Sequence, residues 1–156
     1  KLVAGVAVNV SSIIAVTTGG EVLALDREDG SEKWRSSTGS AISASPALND
    51  QLIVVRTVDG KVIGLNALTG DQVWAIERPV AALSIGLDAP GLVASEGVVN
   101  GFSNGRVLAS NIYNGSPFWE VRAFRPGGKN EIERLIDIDA SPIMAGQLVI
   151  VGAYQG

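Results

Sequence analysis

Gly20-Glu21-Val22-Leu23-Ala24-Leu25-Asp26-Arg27-Glu28-Asp29-Gly30-Ser31-Glu32-Lys33-Trp34 decides the fold, because the chain repeats its pattern twice more. Gly60-x-Val62-x-Gly64 leads through Gly70 to Trp74, and Gly105-x-Val107-x-Ala109 leads through Gly115 to Trp119. Each copy runs ten positions from glycine to glycine and four more to tryptophan, and the three copies use all 3 tryptophans of the chain. Val149-Ile150-Val151-Gly152-Ala153-Tyr154-Gln155-Gly156 is similar to the lead-in Val54-Val55-Arg56-Thr57-Val58-Asp59-Gly60, so a fourth copy begins there. The tryptophans lie 40 and 45 residues apart, a period that matches the blade of a β-propeller. The expected fold is therefore all-β: about three and a half propeller blades over residues 1–156, with the fourth repeat beginning near Leu148.

Alternation of β-branched and apolar runs with Gly, Asn and Asp clusters predicts many short antiparallel strands. They are expected at 13–18, 22–26, 32–36, 42–48, 52–58, 62–66, 72–76, 92–94, 98–102, 107–111, 118–123, 140–144 and 148–153. Asp29-Gly30, Thr69-Gly70 and Asn114-Gly115 place glycine where a turn needs positive φ, and Gly19-Gly20, Asp59-Gly60 and Asn104-Gly105 do so for the preceding hairpin. Asp26, Asn66 and Asn111 are positioned to bond back to the turn backbone. Ser45-Pro46, Ala89-Pro90 and Ser141-Pro142 mark exposed or irregular stretches near the start of successive blades. One helical turn is conceivable at 130–136.

Closed propellers have roughly four to eight blades. Three and a half repeats are therefore expected to be a piece of a larger ring, whose open blade faces and strand edges favour self-association. A net charge of −4 and a pI near 4.8 make nucleic acid and anionic membrane poor partners. With no cysteine and no histidine, the chain lacks disulfides, a thiol nucleophile and the commonest catalytic base and metal ligand. No apolar run approaches the roughly 18 residues needed to span a bilayer.

Two segments interrupt the repeat, 77–87 and 122–139, and insertions in repeat proteins form loops that tend to carry function. In the second, Asp137-x-Asp139 follows Arg134. In a strand, residues two apart share a face. The two carboxylates could form a solvated edge with Arg134 as counter-ion, a protein-binding patch, a Ca²⁺ site or a catalytic acid–base pair. Leu83-x-Ile85 has the same spacing in the first segment, either as a buried strand face or as an apolar anchor. The tryptophans are expected to wedge between blades, each mostly buried and equivalently placed.

The phrase Gly-x-Val-x-Ala-Leu-Asp-x-x-x-Gly-x-x-x-Trp resembles the repeat of quinoprotein-type propellers, which include the pyrroloquinoline-quinone dehydrogenases and non-enzymatic relatives. Ala82-Leu83-Ser84-Ile85-Gly86 before Ala89-Pro90, and Glu131-Ile132-Glu133-Arg134-Leu135-Ile136-Asp137-Ile138-Asp139 before Pro142, are similar to the BamB family. These are lipoprotein propellers of the outer-membrane β-barrel assembly machinery. That resemblance implies an eight-bladed ring, lipid-anchored on the periplasmic face of the outer membrane. It implies a non-enzymatic scaffold that docks on a periplasmic POTRA domain of BamA and binds no quinone, metal or small-molecule substrate. The docking residues it implies are Leu83 and Ile85 on one segment and Asp137 and Asp139 on the other, with Arg134 beside them. Gly86 stands where the family has a docking arginine, so no residue takes that role here. A fragment of a quinoprotein dehydrogenase, or a propeller sensor or adaptor domain of another envelope protein, is the alternative.

Overall fold

A computed structural model of the chain describes residues 5–78, 89–102, 104–124, 138, 140–146 and 148–153. Among them are fourteen β-strands and no helix. The first blade is β1 (Ala7–Val8), β2 (Ser12–Val16), β3 (Glu21–Asp26) and β4 (Glu32–Ser37). The second is β5 (Ala47–Leu48), β6 (Leu52–Arg56), β7 (Lys61–Asn66) and β8 (Gln72–Glu77). The third is β9 (Leu92–Val93), β10 (Gly97–Gly101), β11 (Arg106–Asn111) and β12 (Pro117–Arg122), and β13 (Ile143–Ala145) pairs with β14 (Leu148–Ile150). Within each sheet, strands pair antiparallel in chain order. First strands adjoin from blade to blade, β1 to β5 and β5 to β9, which puts them at the hub of a radial array. The proline stretches are irregular, as expected, but Pro46 and Pro142 are buried rather than exposed. The strand expected at 42–48 is broken: Ile42 makes an isolated bridge to Thr57, and regular pairing starts only at Ala47.

The core lies between the sheets. All five residues of β6 are buried, and alternate ones serve opposite neighbours. Ile53 and Val55, with Ile63 and Leu65 of β7, meet Ile14, Val16, Val22 and Ala24 of the first blade. Leu52 and Val54, with Val62 and Trp74, meet Val98, Leu108 and Ile112 of the third. Val99, Val107 and Ala109 continue the stack toward Val149 and Val151. A sheet covered on both faces needs apolar residues in both phases of the strand, which is why β6 and β7 read as continuous apolar runs. The fourth strands are mostly exposed: Trp74 is the one buried residue among β4, β8 and β12, and all six residues of β12 are exposed.

Turn chemistry recurs from blade to blade. Gly20, Gly30, Gly60, Gly70, Gly105 and Gly115 all have φ between 70 and 87°. Asp26, Asn66 and Asn111 each accept a 2.8 Å bond from the N–H two residues on, at Glu28, Leu68 and Tyr113. The end of each fourth strand is tied to the glycine of the second-to-third-strand turn: Thr38 N–H to Gly20 O at 2.8 Å, Arg78 to Gly60 and Ala123 to Gly105 at 3.0 Å.

The tryptophans hold equivalent positions, paired with Ala24, Gly64 and Ala109 beside a register shift. Their burial differs. Trp34 lies against Gly70 and donates to Ala67 O at 3.2 Å, while Trp74 lies against Gly115 and donates to Ile112 O at 2.7 Å. Each indole is thus covered by the next blade's outer turn. Among the described residues no such turn covers Trp119, which is 42% exposed, so mostly buried tryptophans are not found in all three blades. Trp74 is 6% exposed and sits deepest, since its cross-strand partner Gly64 has no Cβ beneath the ring.

Candidate functional site

Leu83, Ile85, Arg134, Asp137 and Asp139, the residues that sequence reasoning selects for partner binding, lie outside the described residues, as does the conceivable helical turn at 130–136. The framework that carries both segments is described. β8 ends at the Gly60 carbonyl, and the N–H groups of Ala123 and Phe124 both reach the Gly105 carbonyl, at 3.0 and 3.2 Å. The chain therefore departs toward 79–88 and toward 125–137 from one rim of neighbouring blades. Glu120 ties these departure points together, meeting Arg106 Nη1 at 3.0 Å and Arg78 Nη2 at 3.4 Å. Such part-exposed pairs add little stability; Arg78–Glu120 crosses from the second blade to the third, whereas Arg106–Glu120 lies within the third.

The points of return are fixed by burial. Arg56, only 7% exposed, donates from Nη1 to the Ala89 carbonyl at 3.2 Å and lies 5.2 Å over the Phe102 ring. Those contacts offset part of the cost of burying the cation. Ile138, between the two aspartates in sequence, is 2% exposed and packs on Gly101 within the third core. Among the described residues no group of three or more acidic side chains could hold a metal ion.

The opposite rim carries the first-to-second-strand and third-to-fourth-strand turns, joined by Ala67 N–H to Gln51 O at 3.0 Å and Ile112 N–H to Glu96 O at 3.1 Å. Here the blades differ electrostatically. The Glu28 N–H, and next the Lys33 ammonium at 3.0 Å, hold the Asp26 carboxyl below its ordinary range. Asn66 and Asn111 do the same backbone work without titrating. A lowered folded-state pKa contributes stability that is complete above the ordinary aspartate range and is lost as pH falls through the lower folded value. In an acid titration followed by NMR, the Glu28 amide should shift with a midpoint below that of an ordinary aspartate. The Leu68 and Tyr113 amides should show no matching step. Common movement of all three would contradict this assignment.

Two features of the second seam escape the sequence pattern. Asn100 and Ser110 occupy the positions of Val55 and Leu65 in the repeat, both are fully buried, and their side-chain polar atoms have no hydrogen-bond partner. The absence of a Cβ on Gly91 leaves room for the Asn100 amide. On the rim with the outer turns, a cleft of about 410 Å³ opens between the second and third blades, lined by Leu52, Leu68, Val73, Ile112 and Tyr113 with Asp50.

Known proteins give this frame a family. Residues 1–156 match the family model described as outer membrane protein assembly factor BamB. A protein of that name from Bordetella pertussis is 34% identical over 156 residues, covering 100% of this chain and 40% of its own length. The crystal structure of BamB from Moraxella catarrhalis superposes with a TM-score of 0.91 at 27% identity, over 99% of this chain and 48% of that one. The chain thus spans less than half the length of these relatives. A quinohemoprotein alcohol dehydrogenase from Pseudomonas putida HK5 shares the fold alone, with a TM-score of 0.64 at 15% identity over 76% of this chain and 26% of that one. With three four-stranded blades, a tryptophan at the same strand position in each and a family match from end to end, the chain belongs to the outer membrane protein assembly factor BamB family.

Proposed function

We propose that this chain is part of a non-enzymatic scaffold subunit of the outer-membrane protein assembly machinery, and that it docks on a periplasmic POTRA domain of BamA. The family match over residues 1–156 carries the reading. Its working location is the periplasmic face of the outer membrane, as part of a lipid-anchored, eight-bladed ring in which residues 1–156 supply three blades and the start of a fourth near Leu148. The docking rim is the one bounded by Arg78 and Phe124. Leu83 and Ile85 supply an apolar anchor, while Asp137 and Asp139, with Arg134 beside them, meet basic groups of the partner. The common rim and the Arg78–Glu120–Arg106 link support this arrangement, since they bring the departure points of both segments to neighbouring blades. No bond is made or broken; the work is orientation.

Asp137→Ala combined with Asp139→Ala in the full-length protein should weaken binding to the BamA periplasmic domains at least about tenfold, roughly 1.4 kcal/mol. The circular dichroism spectrum should be unchanged. Added salt should reproduce part of the loss by screening. Calorimetry showing wild-type affinity for the folded double variant would overturn the assignment.

A further inference from the structure

Leu68, Val73 and Tyr113 are 76, 48 and 62% exposed, yet stand together on one rim of the second seam. The first blade supplies an internal control. At the repeat position of Leu68 and Tyr113 it carries Glu28, and at the position of Val73 and Phe118 it carries Lys33. The fold therefore asks for no apolar side chain there. The register shift opposite each tryptophan leaves the preceding residue without a ladder partner, so Val73 turns outward just as Lys33 does. Leu68 and Tyr113 lie two residues after Asn66 and Asn111 on the outer turns and donate their N–H groups to those side-chain oxygens, so the turn makes no use of their own side chains. The residues that line the cleft all belong to the described parts of the second and third blades. Its floor is Leu52 and Ile112, and among the described residues its lining carries one charge, the Asp50 carboxylate, which accepts a long bond from Val10 N–H at 3.4 Å. Asp71 lies exposed where the Leu68 turn leads into β8. The same seam holds the unpartnered Asn100 and Ser110, so it departs from the first seam both inside and at its rim.

We propose that this cleft is a second docking site, taking a segment of a partner polypeptide that presents a large aliphatic or aromatic side chain beside a lysine or arginine. The apolar walls receive the anchor, and Asp50, with Asp71 nearby, meets the cation. An anionic lipid surface is opposed by these carboxylates, and a second copy of this chain brings a net charge of −4 toward them. The site is on the rim opposite the departure points at Arg78 and Phe124, so it does not compete with the docking proposed there. A scaffold with a partner on each rim bridges two proteins. Binding here stands or falls separately from binding to BamA, because each is read with its own ligand.

The test uses the full chain and a fluorescein-labelled decapeptide with Leu-Lys-Phe-Lys at its centre, followed by anisotropy and by amide chemical shifts. Saturable binding is expected, with the largest shifts at Leu68, Val73 and Tyr113. Leu68→Glu with Tyr113→Glu, which copies Glu28 of the first blade and so is compatible with the fold, should weaken binding at least about tenfold. Asp50→Asn tests the charge alone and should weaken it about threefold or more. The peptide with both lysines changed to glutamate should also bind more weakly. No saturable binding, shifts centred elsewhere, or equal binding by the double variant or the acidic peptide would overturn the proposal. Equal binding of a small apolar dye, insensitive to Asp50→Asn, would reassign the cleft to a small ligand and overturn it as well.

Discussion

Trp74→Ala is expected to lower the unfolding free energy of the 156-residue chain by about 3–5 kcal/mol, the range for truncating a buried aromatic. Trp119→Ala is expected to cost clearly less, about 1–2 kcal/mol. The two residues occupy the same repeat position, opposite Gly64 and Ala109 beside the same register shift, so their strand geometry is alike. What differs is the seat beneath the ring and the cover above it. Trp74 is 6% exposed, seated over Gly64, capped by Gly115 and bonded to the Ile112 carbonyl at 2.7 Å. Its removal opens a cavity in the second core and deprives a buried carbonyl of its donor, two losses that add. Trp119 is 42% exposed, and its ring has less to lose. Urea unfolding followed by circular dichroism gives both values without relying on tryptophan emission. Equal losses would show that the wedge stabilises through its own blade, not through the seam.

The sequence announced this architecture because a propeller repeats its local solutions. Period, turn glycines, Asx acceptors and tryptophan positions all reappear in the structure, for each is imposed by short-range geometry that a phrase of fifteen residues can encode. What the phrase does not encode is the neighbour. Whether an indole is buried depends on the turn of the following blade, about 36 to 41 residues away, as Gly70 serves Trp34 and Gly115 serves Trp74. The hub-side strands are shorter than the apolar pattern predicts, because Ile42 and Ala44 are buried outside any regular ladder, Ile42 making only an isolated bridge to Thr57. The candidate docking residues were legible only through a resemblance, since Leu83, Ile85, Arg134, Asp137 and Asp139 lie where the repeat is interrupted. Conversely, the cleft at Leu68, Val73 and Tyr113 becomes visible only once blades are superposed in register and their solvent-facing positions compared. Asn100 and Ser110 read in sequence as ordinary strand residues; only their side of the sheet reveals them as polar groups in an apolar seam.

Gly70→Ala should destabilise the chain by about 2–5 kcal/mol, and Gly30→Ala by only about 1–2 kcal/mol. Both glycines end the same outer turn, with φ of 77 and 75°. Any L-residue in that left-handed region carries the strain of its Cβ against the following carbonyl, so the backbone cost is common to both. Their surroundings are not alike. A Cβ on Gly30 meets nothing within 4 Å. A Cβ on Gly70 enters the six-membered ring of Trp34, nearer than carbon atoms approach in folded proteins. Relief requires the indole or the turn to retreat, and either movement strains the 3.2 Å bond from Trp34 to the Ala67 carbonyl. The second glycine of the repeated phrase thus serves two ends, turning its own chain and making a seat for the preceding blade's tryptophan. The difference between the two variants, measured by chemical denaturation with matched slopes, isolates the second role. If Gly70→Ala costs no more than Gly30→Ala, the seam tolerates displacement of Trp34, and the glycine answers to the turn alone.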